Sequence, residues 1–312
     1  MPCPGHPRVR IAVLCNPGSW YLDDLARAAT LHGHQCMEVR FPQITATMAA
    51  GTIADTDEVV NDVGGQLAEA DAVIVRTMPP GSLEQVVFRM DALARLEHLG
   101  ITVINSPRAI ECAVDKYLAT ARLLAAGIPV PPTVVCESSE SALAAFESLG
   151  GDVVVKPIFG AEGRGIVRVS DPELALRTFR TLERIDAVLY LQAFINHGGH
   201  DDRVLLLDGE VIGGMRRHSQ NDFRTNISQQ GLAESWTPGT DDIRLARTAA
   251  TATGTCLAGV DLITTPDGRR LVLEVNAVPG WRAFARVNSI DVADRLVTWI
   301  ESRSGHSVAT SD

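Results

Sequence analysis

The stretch GVDLITTPDGRRLVLEVNAVPGW, residues 259–281, decides the fold of the C-terminal half of this chain. Two apolar runs, Val260–Thr264 and Leu271–Val275, flank Pro266-Asp267-Gly268, whose residue types favour a tight turn. Two such runs joined by a short glycine-containing loop are typical of a β-hairpin. Because most of the flanking side chains are apolar, the sequence predicts a hairpin that is largely buried.

Three polar side chains interrupt this apolar hairpin. Glu274 and Asn276 lie two residues apart, so they point to the same face of a strand, and antiparallel pairing can bring Asp261 to that face. Two carboxylates and an amide oxygen suit a hard cation, and Mg²⁺ is the usual one beside phosphates. The alternative is a set of edge-strand polar residues that face water. The apolar flanks favour a metal site, because unpaired buried carboxylates are costly.

A lysine followed by a glycine-rich loop forms the second motif. Asp152–Lys156 is predicted to be a strand, and the loop FGAEGRG follows it at 159–165. The glycines of this loop are Gly160, Gly163 and Gly165. Glycines let backbone N–H groups approach an anion closely, and the lysine supplies a charge suited to phosphate. A dinucleotide fingerprint would run into a helix, whereas 166–169 predicts another strand. The pattern favours a flap over phosphates, although glycine-rich hairpins without a ligand are common.

The third feature is a cluster of cations in a chain whose formal net charge is −10. Its members lie close together in the sequence: Arg203, Arg216, Arg217, His218 and Arg224, with Asn226 beside them. Arginines near a carboxylate-lined metal site suit the recognition of phosphate and carboxylate groups. The alternative is a solvated surface run whose cations pair with Asp201, Asp202 and Asp222.

The rest of the pattern divides the chain into lobes. Strands alternate with helices over residues 1–105, which predicts a parallel α/β sheet. Ser106-Pro107 predicts the start of one helix that ends near Gly127. Residues 106–190 are expected to form a small α+β lobe. Residues 191–305 are expected to form an antiparallel lobe with two hairpins, the first turning at Asp208-Gly209, and 306–312 a disordered tail.

Composition excludes several classes of protein. No stretch approaches the roughly 20 apolar residues of a membrane helix, and the N-terminus lacks the apolar segment of a secretory signal. The six cysteines are scattered without a CxxC pair, which favours a reducing compartment, so we expect a cytoplasmic protein. The negative net charge argues against nucleic-acid or membrane partners, because both need a basic surface.

These motifs, in this order, resemble the ATP-grasp superfamily, and within it the RimK-type α-L-glutamate ligases. The resemblance covers nearly the whole chain and is carried by six segments: VVVKPIFGAEGRGI (153–166), LQAFI (191–195), DDR (201–203), DFRTN (222–226), GVDLI (259–263) and LEVNAVPGW (273–281). It implies an ATP-grasp fold with a parallel-sheet N-terminal lobe, a small central lid lobe and a C-terminal antiparallel-sheet lobe. It also implies an ATP-dependent carboxylate–amine ligase that works through an acyl phosphate.

The resemblance assigns roles to individual residues. Lys116 and Lys156 are implied to contact the phosphates of ATP, and the glycine loop to close over them. Gln192, Ala193 and Phe194 are implied to contact the adenine. Asp201 is implied to hold the ribose or to position nearby groups. The implied catalytic residues are Arg224, Asn226, Arg203 and Arg216, with Arg224 and Asn226 at the γ-phosphate and acyl phosphate. Asp261, Glu274 and Asn276 are implied to bind two Mg²⁺ ions, for which Mn²⁺ could substitute. One departure is Ala193, where many relatives carry glutamate, which puts a side-chain contact to adenine in doubt.

The substrates are less clearly encoded. The segments RTMPPGSLEQVVFRMD (76–91) and VNAVPGWRA (275–283) resemble RimK-like ligases that glutamylate tetrahydromethanopterin- or methanofuran-type coenzymes. We therefore expect L-glutamate and a small-molecule or peptide carboxylate acceptor as partners, and a homo-oligomer by resemblance. Two alternatives remain open: another ATP-grasp amino-acid ligase of the lysine-biosynthesis or dipeptide type, and a non-catalytic nucleotide-binding regulator.

Overall fold

The structure of the protein is a computed structural model that describes residues 8–50, 56–62, 64–160, 164–219 and 232–304. The chain forms two compact units. The first contains the described residues up to Pro107 together with those from Ser289 onward, and the second is Arg108–Asn288.

The first unit is built on a parallel sheet, as the alternation of strands and helices predicts. Its strands lie in the order β2-β1-β5-β6. Its elements are β1 (Arg10–Leu14), α1 (Trp20–Leu31), β2 (Gln35–Val39), β3 (Ile44–Ala50), β4 (Thr56–Asp62), β5 (Ala72–Val75), α2 (Leu83–His98) and β6 (Thr102–Ile104). The antiparallel ribbon of β3 and β4 is an addition that the sequence did not predict.

The second unit contains two antiparallel sheets, which confirms the predicted fold class. One sheet has the order β7-β10-β8-β9, and the other the order β13-β12-β11-β14-β15. The elements are α3 (Pro107–Val114), α4 (Lys116–Ala125), β7 (Thr133–Cys136), α5 (Ser139–Ser148), β8 (Val153–Lys156), β9 (Val167–Val169), α6 (Pro172–Glu183), β10 (Leu189–Ala193), β11 (His200–Leu207), β12 (Glu210–His218), β13 (Leu232–Trp236), α7 (Thr240–Thr253), β14 (Leu257–Thr264), β15 (Arg270–Asn276) and α8 (Arg282–Asn288).

The five-stranded sheet has two chemically different faces. Apolar side chains of β11, β14 and β15 pack with those of α7 in one buried core, so we call this side the helix face. Because side chains alternate along a strand, the residues between them point the other way. We call that side the site face, and its charged members are Asp201, Arg203, Arg217, Asp261 and Glu274.

The single helix predicted from Pro107 to Gly127 is wrong, because the helix is interrupted at Asp115. The side chain of Asp115 accepts a hydrogen bond from the backbone N–H of Leu118 at 3.0 Å and so caps a new helix, α4. The backbone N–H of Lys116 donates to the carbonyl of Ile158 at 3.2 Å. The interruption therefore places Lys116 at the start of α4, beside the segment that leads into the glycine-rich loop.

The grouping into units differs from the predicted division at the C-terminal end. The last helix, α9 (Val292–Ser304), belongs to the first unit and not to the lobe predicted over 191–305. It packs against α1, with Arg27 bonded to Asp291 at 2.8 Å and His32 to Asp294 at 2.8 Å. The predicted boundary at 190/191 stays a prediction, and the predicted tail lies outside the described residues. Among the described residues, no helix is both long and apolar enough to cross a bilayer.

Candidate functional site

The three predicted metal ligands converge on the site face at the C-terminal hairpin. Asp261 on β14 lies directly opposite Glu274 on β15, and Gly259 lies opposite Asn276. The amide Nδ2 of Asn276 donates to Glu274 Oε1 at 3.1 Å and approaches Asp261 Oδ2 at 3.4 Å. Asp261 is fully buried, while Glu274 and Asn276 are partly buried. The hairpin is thus largely buried, as its apolar flanks predicted.

The two carboxylates have opposite electrostatic surroundings. Burial and the nearby charge of Asp261 raise the pKa of Glu274 above its ordinary value. Burial would also raise the pKa of Asp261, but Arg203 and Arg217 outweigh it and hold that pKa low. Two adjacent carboxylates and an amide form a set of hard oxygen donors, which fits a divalent cation such as Mg²⁺. Within the described ranges no group of three or more His, Cys, Asp or Glu side chains forms a metal candidate, so the hairpin site consists of two carboxylates and one amide.

Two lysines approach the same region from the other sheet and from α4. The ammonium group of Lys156 is buried and donates to Gln192 Oε1 at 2.7 Å, and burial lowers its pKa to about 8. Lys116 Nζ donates to the carbonyl oxygen of Gly160 at 3.0 Å, and burial lowers its pKa as well. Glu274 attracts both ammonium groups and opposes these shifts. Two cations, the first glycine of the loop and the acidic hairpin therefore belong to one site.

The segment predicted to contact adenine is held at its backbone by both neighbours of β10. The N–H of Ala193 donates to the carbonyl of Pro132 at 2.8 Å, and the N–H of Phe194 donates to that of Asp152 at 2.9 Å. In an antiparallel pair of this kind the two residues normally exchange two hydrogen bonds. Pro132 has no N–H, so it cannot return a hydrogen bond to the carbonyl oxygen of Ala193. That oxygen is an acceptor suited to an exocyclic amine such as that of adenine.

A cavity of about 520 Å³ lies beside this segment. Phe194, Ile195 and Asn196 line one side, and the turn of the C-terminal hairpin lines another through residues such as Thr265 and Arg269. The guanidinium of Arg168 lies 3.5 Å from the centre of the Phe194 ring. The volume lies in the range that small-molecule ligands occupy.

The predicted cationic cluster divides between the two faces of the sheet. Arg203 donates from Nε and Nη2 to the two carboxylate oxygens of Asp261, both at 2.7 Å, so it lies on the site face. Arg216 instead pairs with Asp202 at 2.7 and 3.1 Å on the helix face. Arg216 therefore fits the alternative interpretation of the cluster, in which a cation pairs with a neighbouring aspartate. For this reason Arg216 is not part of the proposed site.

Asp201 is buried and bound to Arg217, whose Nε donates to Oδ1 at 2.8 Å and whose Nη2 donates to Oδ2. Its predicted contact with ribose stays a prediction. Gly165 is described, whereas Gly163, Arg224 and Asn226 lie outside the described residues.

Sequence reasoning included Arg217 in the cluster but did not select it as a site residue. Arg217 lies opposite Asp201 because the register shifts between Leu205 and Leu206, where β12 contains one extra residue. Without this bulge, counting back from the turn would place Arg216 opposite Asp201. The only available signal was the glycine pair at 213–214, a residue type that often marks a bulge.

Comparison with known proteins agrees with this geometry. Residues 113–300 match the RimK-like ATP-grasp domain family. A tetrahydromethanopterin:α-L-glutamate ligase of Methanosarcina acetivorans is 32% identical over 95% of this chain and 99% of its own length. A probable α-L-glutamate ligase of Citrobacter koseri is 30% identical over 94% of this chain and 96% of its own.

The fold of the chain is also found among solved structures. The ATP-grasp ligase PsnB, in complex with a minimal precursor, Mg and ADP, superposes with a TM-score of 0.72. The two proteins are 21% identical, and the match covers 95% of this chain and 98% of PsnB. Fold, site and relatives agree: the chain belongs to the RimK-like ATP-grasp family and is an ATP-dependent carbon–nitrogen ligase.

Proposed function

We propose that the protein adds L-glutamate, through its amine, to the carboxylate of a small coenzyme of the tetrahydromethanopterin or methanofuran type. The alternative acceptor within this proposal is the carboxylate of a peptide. The support is the named activity of the Methanosarcina relative, which matches this chain over nearly its whole length. The formal charge of −10 favours a small acceptor over a nucleic-acid-bound or membrane-bound one.

The reaction proceeds in two balanced steps. An oxygen of the acceptor carboxylate attacks the γ-phosphorus of ATP, the bond to the β-phosphate oxygen breaks, and ADP leaves from an acyl phosphate. The amine nitrogen of glutamate then attacks the acyl carbon, inorganic phosphate leaves, and the nitrogen loses a proton to give the amide. The protein supplies position and charge and forms no covalent bond of its own.

The convergence of the acidic hairpin with the buried Lys156 and the partly buried Lys116 is the observation that carries this proposal. Lys116 and Lys156 bind the phosphates of the nucleotide, and Asp261, Glu274 and Asn276 hold two Mg²⁺ ions, with Mn²⁺ as a substitute. Bound divalent cations neutralise charge on the β- and γ-phosphate oxygens. The PsnB structure that shares this fold contains Mg and ADP.

The remaining site residues complete the proposal. Gln192, Ala193 and Phe194 bind the base, Asp201 lies near the ribose, and Arg203 lies beside the metal ligands. Gly160, Gly163 and Gly165 close over the phosphates, while Arg224 and Asn226 contact the γ-phosphate and the acyl phosphate. A cytoplasmic location is supported by the six scattered cysteines, which contain no CxxC pair. The homo-oligomer stays a prediction.

The test is ADP formation by the purified protein with Mg-ATP, each amino acid in turn and a panel of coenzyme and peptide acceptors, with mass spectrometry of the products. The proposal expects turnover that requires both glutamate and an acceptor carboxylate, with a product heavier by one glutamyl residue. Turnover with a different amine would select another amino-acid ligase. No turnover across the panel, with intact nucleotide binding, would select the regulator.

A further inference from the structure

Arg217 joins two buried carboxylates on the site face of the five-stranded sheet. Its Nε donates to Asp201 Oδ1 at 2.8 Å, and its Nη2 donates to Asp261 Oδ2 at 2.8 Å. Both aspartate side chains are fully buried, and the Arg217 side chain is only 12% exposed. An arginine in this position crosses three strands, because Arg217 lies on β12, Asp201 on β11 and Asp261 on β14.

Among the described residues, the two aspartates of this group are matched by two guanidiniums only when Arg217 is present. Arg203 pairs with both oxygens of Asp261, which is one cation for one carboxylate. Asp201 forms an ion pair with Arg217. Removing Arg217 would leave one guanidinium for two buried carboxylates, and an uncompensated buried charge is strongly unfavourable. The carboxylates would then have to move apart or admit water, and Asp261 would lose its present orientation.

The orientation of Asp261 matters because it lies between this group and the acidic hairpin. Its other neighbours are Glu274, directly opposite on β15, and the amide of Asn276. A fork-shaped guanidinium fixes a carboxylate in plane as well as in distance, which a lysine ammonium cannot do. Arg203 and Arg217 approach the same carboxylate from adjacent positions, so they determine which way its oxygens face.

We propose that Arg217 is a positioning residue of the metal site: by bridging Asp201 and Asp261 it fixes the Asp261 carboxylate for the divalent cation and couples it to the Asp201 side of the site. This inference rests on the proposed function, because it assumes a cation at Asp261, Glu274 and Asn276. Partners that orient metal ligands typically contribute about tenfold to hundredfold in metal affinity. The expected effect therefore lies in cation binding.

The chain provides a matched control on the opposite face of the same sheet. Arg270 also bridges two aspartates, with Nη1 bonded to Asp202 Oδ2 at 2.9 Å and Nε bonded to Asp242 Oδ1 at 2.7 Å. Its side chain is 19% exposed, so its burial is similar to that of Arg217. A purely structural ion pair on this sheet should behave like Arg270.

The experiment compares wild-type protein with Arg217→Gln, Arg217→Lys and Arg270→Gln. Calorimetry measures the dissociation constant of Mg²⁺ for the complex with ADP, and the affinity for ADP in EDTA and the melting temperature are measured alongside. We expect Arg217→Gln to raise the Mg²⁺ dissociation constant by about tenfold or more, with Arg217→Lys in between. Arg270→Gln should lower the melting temperature but leave the Mg²⁺ constant within about twofold.

Two results would overturn the inference. One is an Mg²⁺ constant in both Arg217 variants equal to that of wild type, and the other is an equal shift in Arg270→Gln. If Arg217→Gln does not fold, Arg217→Lys and Asp201→Asn decide the question by the same constant. The proposed function fails separately: wild-type protein that binds ADP without any effect of Mg²⁺ would remove the metal site itself.

Discussion

Nucleotide affinity should fall as the pH rises from 7 to 9, because Lys156 loses its proton in this range. Burial lowers the pKa of its ammonium group to about 8, with repulsion from Lys116 acting in the same direction. Glu274 opposes the shift but does not cancel it. Only the protonated form offers a charge to a phosphate, and a bound phosphate stabilises that form. Binding at high pH must therefore include the free energy of protonating the lysine.

The size of the effect follows from the pKa. With a pKa of about 8, about nine tenths of the Lys156 side chains carry a charge at pH 7 and about one tenth at pH 9. If binding requires the charged form, the dissociation constant rises about tenfold, which corresponds to about 1.4 kcal/mol. Lys116, whose pKa burial also lowers, adds a change of the same sign. The second ionisation of a phosphate, near pH 6, is already about nine tenths complete at pH 7, so it changes little over this range.

The assay is calorimetric titration of ADP in EDTA at several pH values, so that no divalent cation contributes. Lys156→Arg should bind with a flatter dependence, because a guanidinium stays charged throughout, and the remaining slope reports Lys116. A dissociation constant for wild type that is constant from pH 7 to 9, or that changes as much in Lys156→Arg, would refute the reasoning.

Unfolding cannot imitate this result. The unfolded chain keeps the Lys156 proton to higher pH than the folded protein does, so between pH 8 and 10.5 the unfolded state binds more protons. The contribution of this group to stability therefore rises with pH over that window. Affinity and stability move in opposite directions, and a melting curve at each pH separates them.

Three further substitutions test other parts of the structure. Glu274→Ala should lower ADP formation by about a hundredfold, comparable to losing about 3 kcal/mol of charge stabilisation. The melting temperature should not fall, because the substitution removes the repulsion between Glu274 and Asp261. Unchanged turnover would contradict the metal assignment. Gly214→Ala should lower the free energy of unfolding by about 1–3 kcal/mol in urea titrations, since its Cβ would lie 2.4 Å from the carbonyl oxygen of Trp236; full stability would mean that β13 moves freely. Asp115→Ala should cost about 1 kcal/mol of stability by removing the helix cap to Leu118, and no change in thermal unfolding would argue that the cap is not needed.

The sequence predicted the elements whose chemistry is local. Asp208-Gly209 does form a tight turn between β11 and β12, with φ angles of +51° and +78°, the left-handed conformation in which asparagine, aspartate and glycine are favoured. The parallel sheet of the first unit and the buried C-terminal hairpin follow from apolar runs in the same way. In each of these cases the residues that decide the structure are adjacent in the chain.

Features that depend on distant contacts were not predictable. In the sequence, Asp115 cannot be told from any other acidic residue within a helix. The interruption there is visible only in the structure, where Lys116 is bonded to Ile158, forty-two positions away. The pairing of β3 with β4 is visible only in the structure. Helix α9 groups with the first unit and not with the predicted C-terminal lobe, because its partner, α1, lies at the other end of the sequence.

Register was the decisive unknown at the candidate site. Counting back from the turn of the C-terminal hairpin would place Glu274 opposite Val260, on the helix face with the apolar core. A shift between Asp261 and Leu262 leaves Leu273 as the extra residue and moves Glu274 opposite Asp261. Sequence spacing alone therefore justified Glu274 with Asn276, but it left the position of Asp261 open.

Each of the two bulges brings one charged side chain to the site face, beside Asp261. The shift in β12 brings Arg217 to the site face, and the shift in β15 brings Glu274 there. Asp261 on β14 is thereby held between the guanidiniums of Arg203 and Arg217 and the carboxylate of Glu274. In the unshifted register Arg203 would still meet Asp261, but Arg217 and Glu274 would point to the other face. A one-residue insertion or deletion that removed either bulge would keep the hairpins but exchange the faces of their charged residues. It follows that the candidate site of this chain depends on backbone register at two positions as well as on the identity of its acidic residues.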